Sequence, residues 1–214
     1  VEVKSGYGLP PSGETRLLEL TRGSAQRVPG RLHRTALLLH ALPPEFRDRR
    51  AEYLEAMIGR VLPDIQARQL ASAVDVFCDP VAFTVDECRA VLLKARELGL
   101  DVKLHADQFE RSGGATLAAE VGACSADHLE GASAEDWQTL AAAGVVGVLL
   151  PGSAITLRRP LPEAAMLRAS GARFFSCNLA ALRIVAMHRL LLLLVLLPPA
   201  IRAERVDGVP SGLL

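Results

Sequence analysis

Three histidines stand at the ends of apolar runs, and each run turns polar around its histidine. "DVKLHADQFE" (residues 101–110) delivers His105 and then Asp107 and Gln108, "SADHLE" (125–130) carries His128 followed by Glu130, and "TALLLHA" (35–41) ends at His40. A fourth run, "VEVKSGYGL" (1–9), leads into Lys4, Ser5 and Tyr7. Imidazole ligates transition metals and moves protons near neutral pH, so two rings from neighbouring strands can converge on one ion. Each residue also has a plainer use. A strand-end histidine commonly bonds a loop carbonyl, Lys4 can cap a carbonyl at the surface, and Asp107 can cap the next turn. Glu130 reads as a solvated residue at a helix start. His33 in "GRLHRT" reads as a loop residue before a strand, and His188 lies outside the alternating region. The repeated placement of His105 and His128 is what favours a shared site.

The elements that must position these residues alternate regularly. Strands are expected at "VEVKSG", "TALLLHA", "VDVFCD", "DVKLHAD", "SADHLE" and "VGVLLPG", with amphipathic helical segments between them. The strands are rich in Val and Leu, as in parallel sheets covered by helices. Thr84 with Glu87, and Ser133 with Asp136, mark two helix starts, and Gly99 and Gly144 mark the corresponding stops. Alternation of this kind predicts parallel strands with right-handed crossovers. About six βα units favour an incomplete (β/α)8 TIM-type barrel over an open doubly wound sheet, whose GxGxxG turn is absent. "RSGGATLAA" (111–119) has no P-loop lysine and reads as a tight loop before a helix. In such a barrel the carboxyl ends of the strands share one mouth, where the histidines fall.

Composition narrows the partners. Lys plus Arg number 24 and Asp plus Glu 24, and half the residues are hydrophobic. Balanced charge without a basic stripe argues against nucleic acid or an anionic membrane and for a small-molecule substrate. The four cysteines, Cys78, Cys88, Cys124 and Cys177, form no CxxC pair and read as free thiols of a cytoplasmic protein. The run "LLLLLVLLPPA" (190–200) is shorter than the roughly 20 apolar residues of a membrane span.

With "EVKSGYGL", "HADQ" and "SADHLE" in this order, supported by "VDVFC", "LAAEVGA" and "VLLPG", the chain resembles the imidazolonepropionase family of the amidohydrolase superfamily from residue 1 to about residue 173. The resemblance implies a metal-dependent barrel that hydrolyses 4-imidazolone-5-propanoate to N-formimidoyl-L-glutamate in histidine degradation. It implies one divalent ion, zinc or iron, with His105 as a ligand. It also implies His128 as the catalytic histidine at the scissile carbonyl, Gln108 as a catalytic and substrate-contacting residue, and Tyr7 and His40 as substrate contacts. A homodimer is a further expectation. Another amidohydrolase or deaminase acting on a heterocycle, or a non-functional gene fragment, are the alternatives.

The departures also carry expectations. The superfamily's His-x-His pair is absent, and so is the metal-binding aspartate that the resemblance implies on the eighth strand, followed by an Asn-Pro-Gly turn. The chain starts in mid-strand without methionine, as a fragment would, and no aspartate lies between Asp136 and Asp207. Composition changes near residue 174, which divides the chain into a partial barrel (1–174) and a Leu-rich tail (175–214) resembling a frameshifted end. A barrel cut in this way is expected to leave "VEVKSG" and "VGVLLPG" as open edges, and the isolated chain to be poorly soluble or inactive.

Overall fold

A computed structural model of the chain describes residues 1–24 and 30–176. Seven strands alternate with helices: β1 (Glu2–Lys4), β2 (His33–Leu39), β3 (Ala73–Cys78), β4 (Asp101–Ala106), β5 (Ser125–His128), β6 (Val146–Leu149) and β7 (Phe174–Ser176). Every pairing is parallel, and the strands lie in sequence order from β1 to β7. This is the predicted incomplete barrel, with seven strands described where six were expected. β7 corrects the edge assignment, because it pairs along β6 and turns "VGVLLPG" into an inner strand. The tail expected from residue 175 lies, apart from its first two residues, outside the described residues, as do the run at 190–200, Cys177 and His188.

The sheet is strongly curled. Neighbouring strands lie about 4.8 Å apart, so β1 and β5 would be roughly 19 Å apart in a flat sheet. Yet Lys4 Nζ on β1 lies 2.6 Å from Asp127 Oδ2 on β5. Only a concave inner face brings those side chains together.

Alternation along the strands then sorts the side chains. On β4, Val102, Leu104 and Ala106 are buried in the apolar layer shared with the helices, and Lys103 and His105 take the other parity. On β3, Val74, Val76 and Cys78 join the same layer, while Asp75 and Phe77 take the parity of His105. The concave face is therefore polar where a barrel interior is usually filled with branched apolar residues.

The covering helices include α1 (Pro11–Ser24), α2 (Arg50–Ala56), α3 (Leu62–Ala67), α4 (Val85–Glu97), α5 (Gly114–Glu120), α6 (Ala134–Ala143), α7 (Pro151–Thr156) and α8 (Ala164–Ser170). Both predicted capping boxes form, at Thr84–Glu87 and Ser133–Asp136. α2 runs into α3 through a π-helical turn, Met57–Val61. Pro63 follows that turn and has no N–H to continue an α-helical ladder, which accounts for the widening. Among the described residues no helix is long and apolar enough to cross a membrane.

Candidate active site

The rim histidines come from the carboxyl ends of three strands, and the sheet brings two of their rings together. His105 lies on β4 and His128 ends β5, with ring centroids 5.4 Å apart and planes tilted by 45°. A row of rings continues around the mouth. Phe77 lies 6.1 Å from His105, His40 lies 6.3 Å from Phe77, and Tyr7 packs edge-on against His40 at 5.0 Å. Tyr7, on the loop after β1, is 82% exposed. The five rings form one continuous lining, and four of them are residues singled out in the sequence.

Local backbone geometry sets these positions. Strand alternation pairs Ser125 with Asp127 and would send His128 to the side of Ala126. His128 and Leu129 instead adopt φ of +77° and +65°, and this left-handed pair swings the ring to the mouth. Such conformations cost on the order of 1–2 kcal/mol per residue outside glycine. The Tyr7 loop is held by Glu14, whose carboxylate accepts from Gly6 N at 2.7 Å and Leu9 N at 2.8 Å. Gly6 has φ +112°, and a Cβ there would lie 2.7 Å from Leu37 Cδ2, so this turn requires glycine.

Below the rings lies a charged layer. Lys4 Nζ bonds Asp75 Oδ2 at 2.7 Å and Asp127 Oδ2 at 2.6 Å, and His105 Nδ1 lies 3.0 Å from Asp75 Oδ1. A second tier follows, where Glu2 Oε1 accepts from Lys103 Nζ at 2.7 Å and Thr35 Oγ1 at 2.5 Å. Burial alone would weaken the Lys4 ammonium, but Asp75 and Asp127 raise its pKa above the ordinary lysine value. Burial would raise the Asp75 carboxyl, yet His105 and Lys4 together bring it well below the usual carboxylate range. His105 shows the same contest. Burial disfavours its charged form, and the Asp75 carboxylate outweighs burial and raises its pKa.

This arrangement fits a metal ion at His105. Ligand atoms of Asp75, His105 and Asp127 all lie within 4.8 Å of one another, a donor set that would suit zinc or iron if the two carboxylates were free. Lys4 already balances the two carboxylates, so the group left to hold an ion is the opposite ring nitrogen of His105. Asp75 then stands behind it, as carboxylates commonly do behind metal-binding histidines. Sequence reasoning missed Asp75 and Asp127. An acidic residue inside an otherwise apolar strand is the signal that could have found them.

The remaining candidates are placed as follows. Gln108 is 8% exposed, and its amide donates to Ser153 Oγ on α7 at 3.4 Å. His40 Nδ1 lies 2.8 Å from Gly6 O. Asp107 caps α5, its carboxylate accepting from Ser112 N, Gly114 N and Ala115 N. Two plain readings fail. Lys4 is an interior bridge, and Glu130 is no solvated residue, since its side chain is 1% exposed.

A curled parallel sheet with histidines at its carboxyl mouth and buried carboxylates beneath them defines the chain as part of a (β/α) barrel of the kind that carries a catalytic site at that mouth. Solved structures agree on the fold. Guanine deaminase from C. acetobutylicum with bound guanine aligns with TM-score 0.58 at 12% identity, over 83% of this chain and 45% of that one. An adenosine deaminase from Xanthomonas campestris with bound zinc aligns with TM-score 0.54 at 17% identity, over 74% and 39%. No family model matches the sequence. Curated relatives do: imidazolonepropionase of Acidiphilium cryptum is 46% identical over 195 residues, covering 87% of this chain and 48% of the relative. That of Erwinia tasmaniensis is 45% identical over 158 residues, covering 74% and 39%. The chain belongs to the imidazolonepropionase family and spans rather less than half the length of these two relatives.

Proposed function

We propose that this chain carries part of the active-site rim of a cytoplasmic hydrolase that opens the cyclic amide of 4-imidazolone-5-propanoate to N-formimidoyl-L-glutamate. The observation supporting it most directly is the 5.4 Å approach of the His105 and His128 rings at adjacent strand ends. His105 would hold one divalent ion, zinc or iron, with Asp75 fixing its ring. When bound, such an ion supplies Lewis acidity, enough to make water a nucleophile near neutral pH.

Hydrolysis adds a hydroxyl to the ring carbonyl, breaks the carbon–nitrogen bond and gives a proton to the departing nitrogen. His128 stands beside the reacting carbonyl, and once its ring has taken a proton from the attacking water the imidazolium donates to the developing oxyanion, a contribution of roughly 3 kcal/mol for a single well-placed donor. Tyr7 and His40 supply an aromatic edge for the flat ring, and Gln108 supplies an amide for its polar perimeter.

The test adds 4-imidazolone-5-propanoate to the zinc- or iron(II)-loaded chain. Binding is read from the histidine ring signals by NMR, and products by chromatography. Shifts at His105 and His128, with any N-formimidoyl-L-glutamate lost in His128→Asn, support the reading. Ammonia release from an unopened ring would move the chain to the deaminases, and absence of binding would overturn the proposal.

A further inference from the structure

Three mouth histidines present the same ring nitrogen to the protein. His40 Nδ1 faces the Gly6 carbonyl at 2.8 Å. A carbonyl only accepts, so this nitrogen carries the proton. His105 Nδ1 faces the Asp75 carboxylate at 3.0 Å, which also only accepts when ionised. His128 has Glu130 in the corresponding place, with Nδ1 3.5 Å from Oε2.

That third contact joins atoms that make no hydrogen bond elsewhere among the described residues. Among the described residues, His128 Nδ1 and both Glu130 carboxylate oxygens are buried without a hydrogen-bond partner. The two side chains are 7% and 1% exposed. A carboxylate taken out of water with no donor costs several kcal/mol, so such a group is kept where it has a task. The loop around it is fixed. Leu129 N donates to Ala106 O at 3.0 Å, and Gly131 N donates to Asp107 O at 2.7 Å. A Cβ on Gly131 would lie 2.9 Å from that carbonyl oxygen, so the chain passes here only as glycine. The left-handed pair at His128 and Leu129 turns the imidazole and the following carboxylate towards one another.

We infer that Glu130 is the positioning residue of His128: its carboxylate accepts from Nδ1–H and fixes the tautomer whose lone pair sits on Nε2, the opposite edge of the ring. At 3.5 Å the pair stands at the outer limit of hydrogen-bond distance. The inference rests on the reading of His128 as the histidine beside the reacting carbonyl and adds what holds it there. With Nδ1 committed to Glu130, the nitrogen that can accept a proton from water, or return one to a leaving nitrogen, is Nε2. Both Glu130 and Nδ1 end such an exchange as they began.

The test reads the tautomer itself. The 214-residue chain is labelled with nitrogen-15 histidine and titrated until each ring is neutral, and two-bond proton–nitrogen correlations are recorded. His128 is assigned by the loss of its signals in His128→Asn. The expected result is a protonated Nδ1 and a bare Nε2 at His128, matching the pattern of His40. In Glu130→Gln the preference is lost and both tautomers appear, while Glu130→Asp, with a shorter reach, retains it in part. A bare Nδ1 in the unmodified chain overturns the inference even where no variant folds. An unchanged tautomer in folded Glu130→Gln overturns it equally. Since neither substrate nor metal is present, failure of the hydrolysis assay would leave this result standing, and the reverse also holds.

Discussion

Replacing Lys4 by methionine is the sharpest perturbation of the interior. The ammonium lies 2.7 Å from Asp75 and 2.6 Å from Asp127, and the three side chains are 21%, 0% and 8% exposed. Methionine keeps the apolar stem and removes the charge, leaving two buried carboxylates facing a common space. Removing one partner of a buried ion pair costs about 3–5 kcal/mol. Asp75 retains His105 at 3.0 Å, which favours the lower part of that range. A loss of about 3 kcal/mol is a large share of the roughly 5–15 kcal/mol that holds a domain together. In a chain of this size it lowers the Tm by roughly 6–12 °C. Urea unfolding of Lys4→Met, Asp127→Asn and the double variant measures the coupling. The double variant should be less destabilised than the sum of the singles by about 1–3 kcal/mol. Zinc should also stabilise Lys4→Met, by about 2.7 kcal/mol at one hundred times that variant's Kd, and by more than it stabilises the unmodified chain at the same concentration, because an ion can then take the place of the ammonium. Additivity within about 0.5 kcal/mol, with no difference in the zinc response, would refute the bridge.

Three further outcomes follow from other parts of the chain. Burial would raise the Asp136 pKa, but Arg111 and the Ser133 cap hold it below the ordinary value; its contribution is therefore complete above the unfolded value of about 3.9 and is lost as pH falls through the lower folded value. Asp136→Asn should remove that part of the acid dependence, and loss of the cap should cost about 1 kcal/mol at neutral pH, both read by denaturant titration across pH. Gly147→Ala would place a Cβ 2.4 Å from Trp137 Cζ3; the expected overpacking costs about 1–3 kcal/mol and shifts the fluorescence of the single tryptophan. His105→Asn should remove the zinc-dependent shifts of the mouth histidine signals in NMR titrations, with the far-ultraviolet dichroism retained.

The βα rhythm was legible because it rests on local signals. Thr84 and Ser133 cap their helices as their spacing requires, and the apolar runs became strands. The histidines were legible because each ends such a run, where a parallel barrel exposes side chains. The carboxylates were not. Asp75 sits inside "VDVFC", and its partner Lys4 is 71 residues away, so nothing nearby reveals that its charge is met. Glu130 was misread for a related reason. "HLEG" looks like a polar exit from a strand, and only the left-handed backbone at His128 and Leu129 folds the carboxylate inward. β7 escaped notice because its three residues, Phe174–Ser176, adjoin a change in composition that obscures the rhythm.

Curvature links these observations. A flat sheet would keep Lys4 four strands from Asp127 and leave each charge unpaired, whereas the curled sheet places one ammonium between two carboxylates and sets a histidine above them. Polar residues on the concave face are therefore stable only when the curl is present, and the curl is in turn held by ion pairs that cross from β1 to β3, β4 and β5. Most barrels fill this space with apolar layers that pack without regard to charge. Here the interior network ties the geometry of the mouth to the registry of the strands below it. Asp75 belongs to both systems, since it meets Lys4 through one oxygen and His105 through the other. A change at Lys4 should thus be felt at the His105 ring without any contact between substrate and the altered residue.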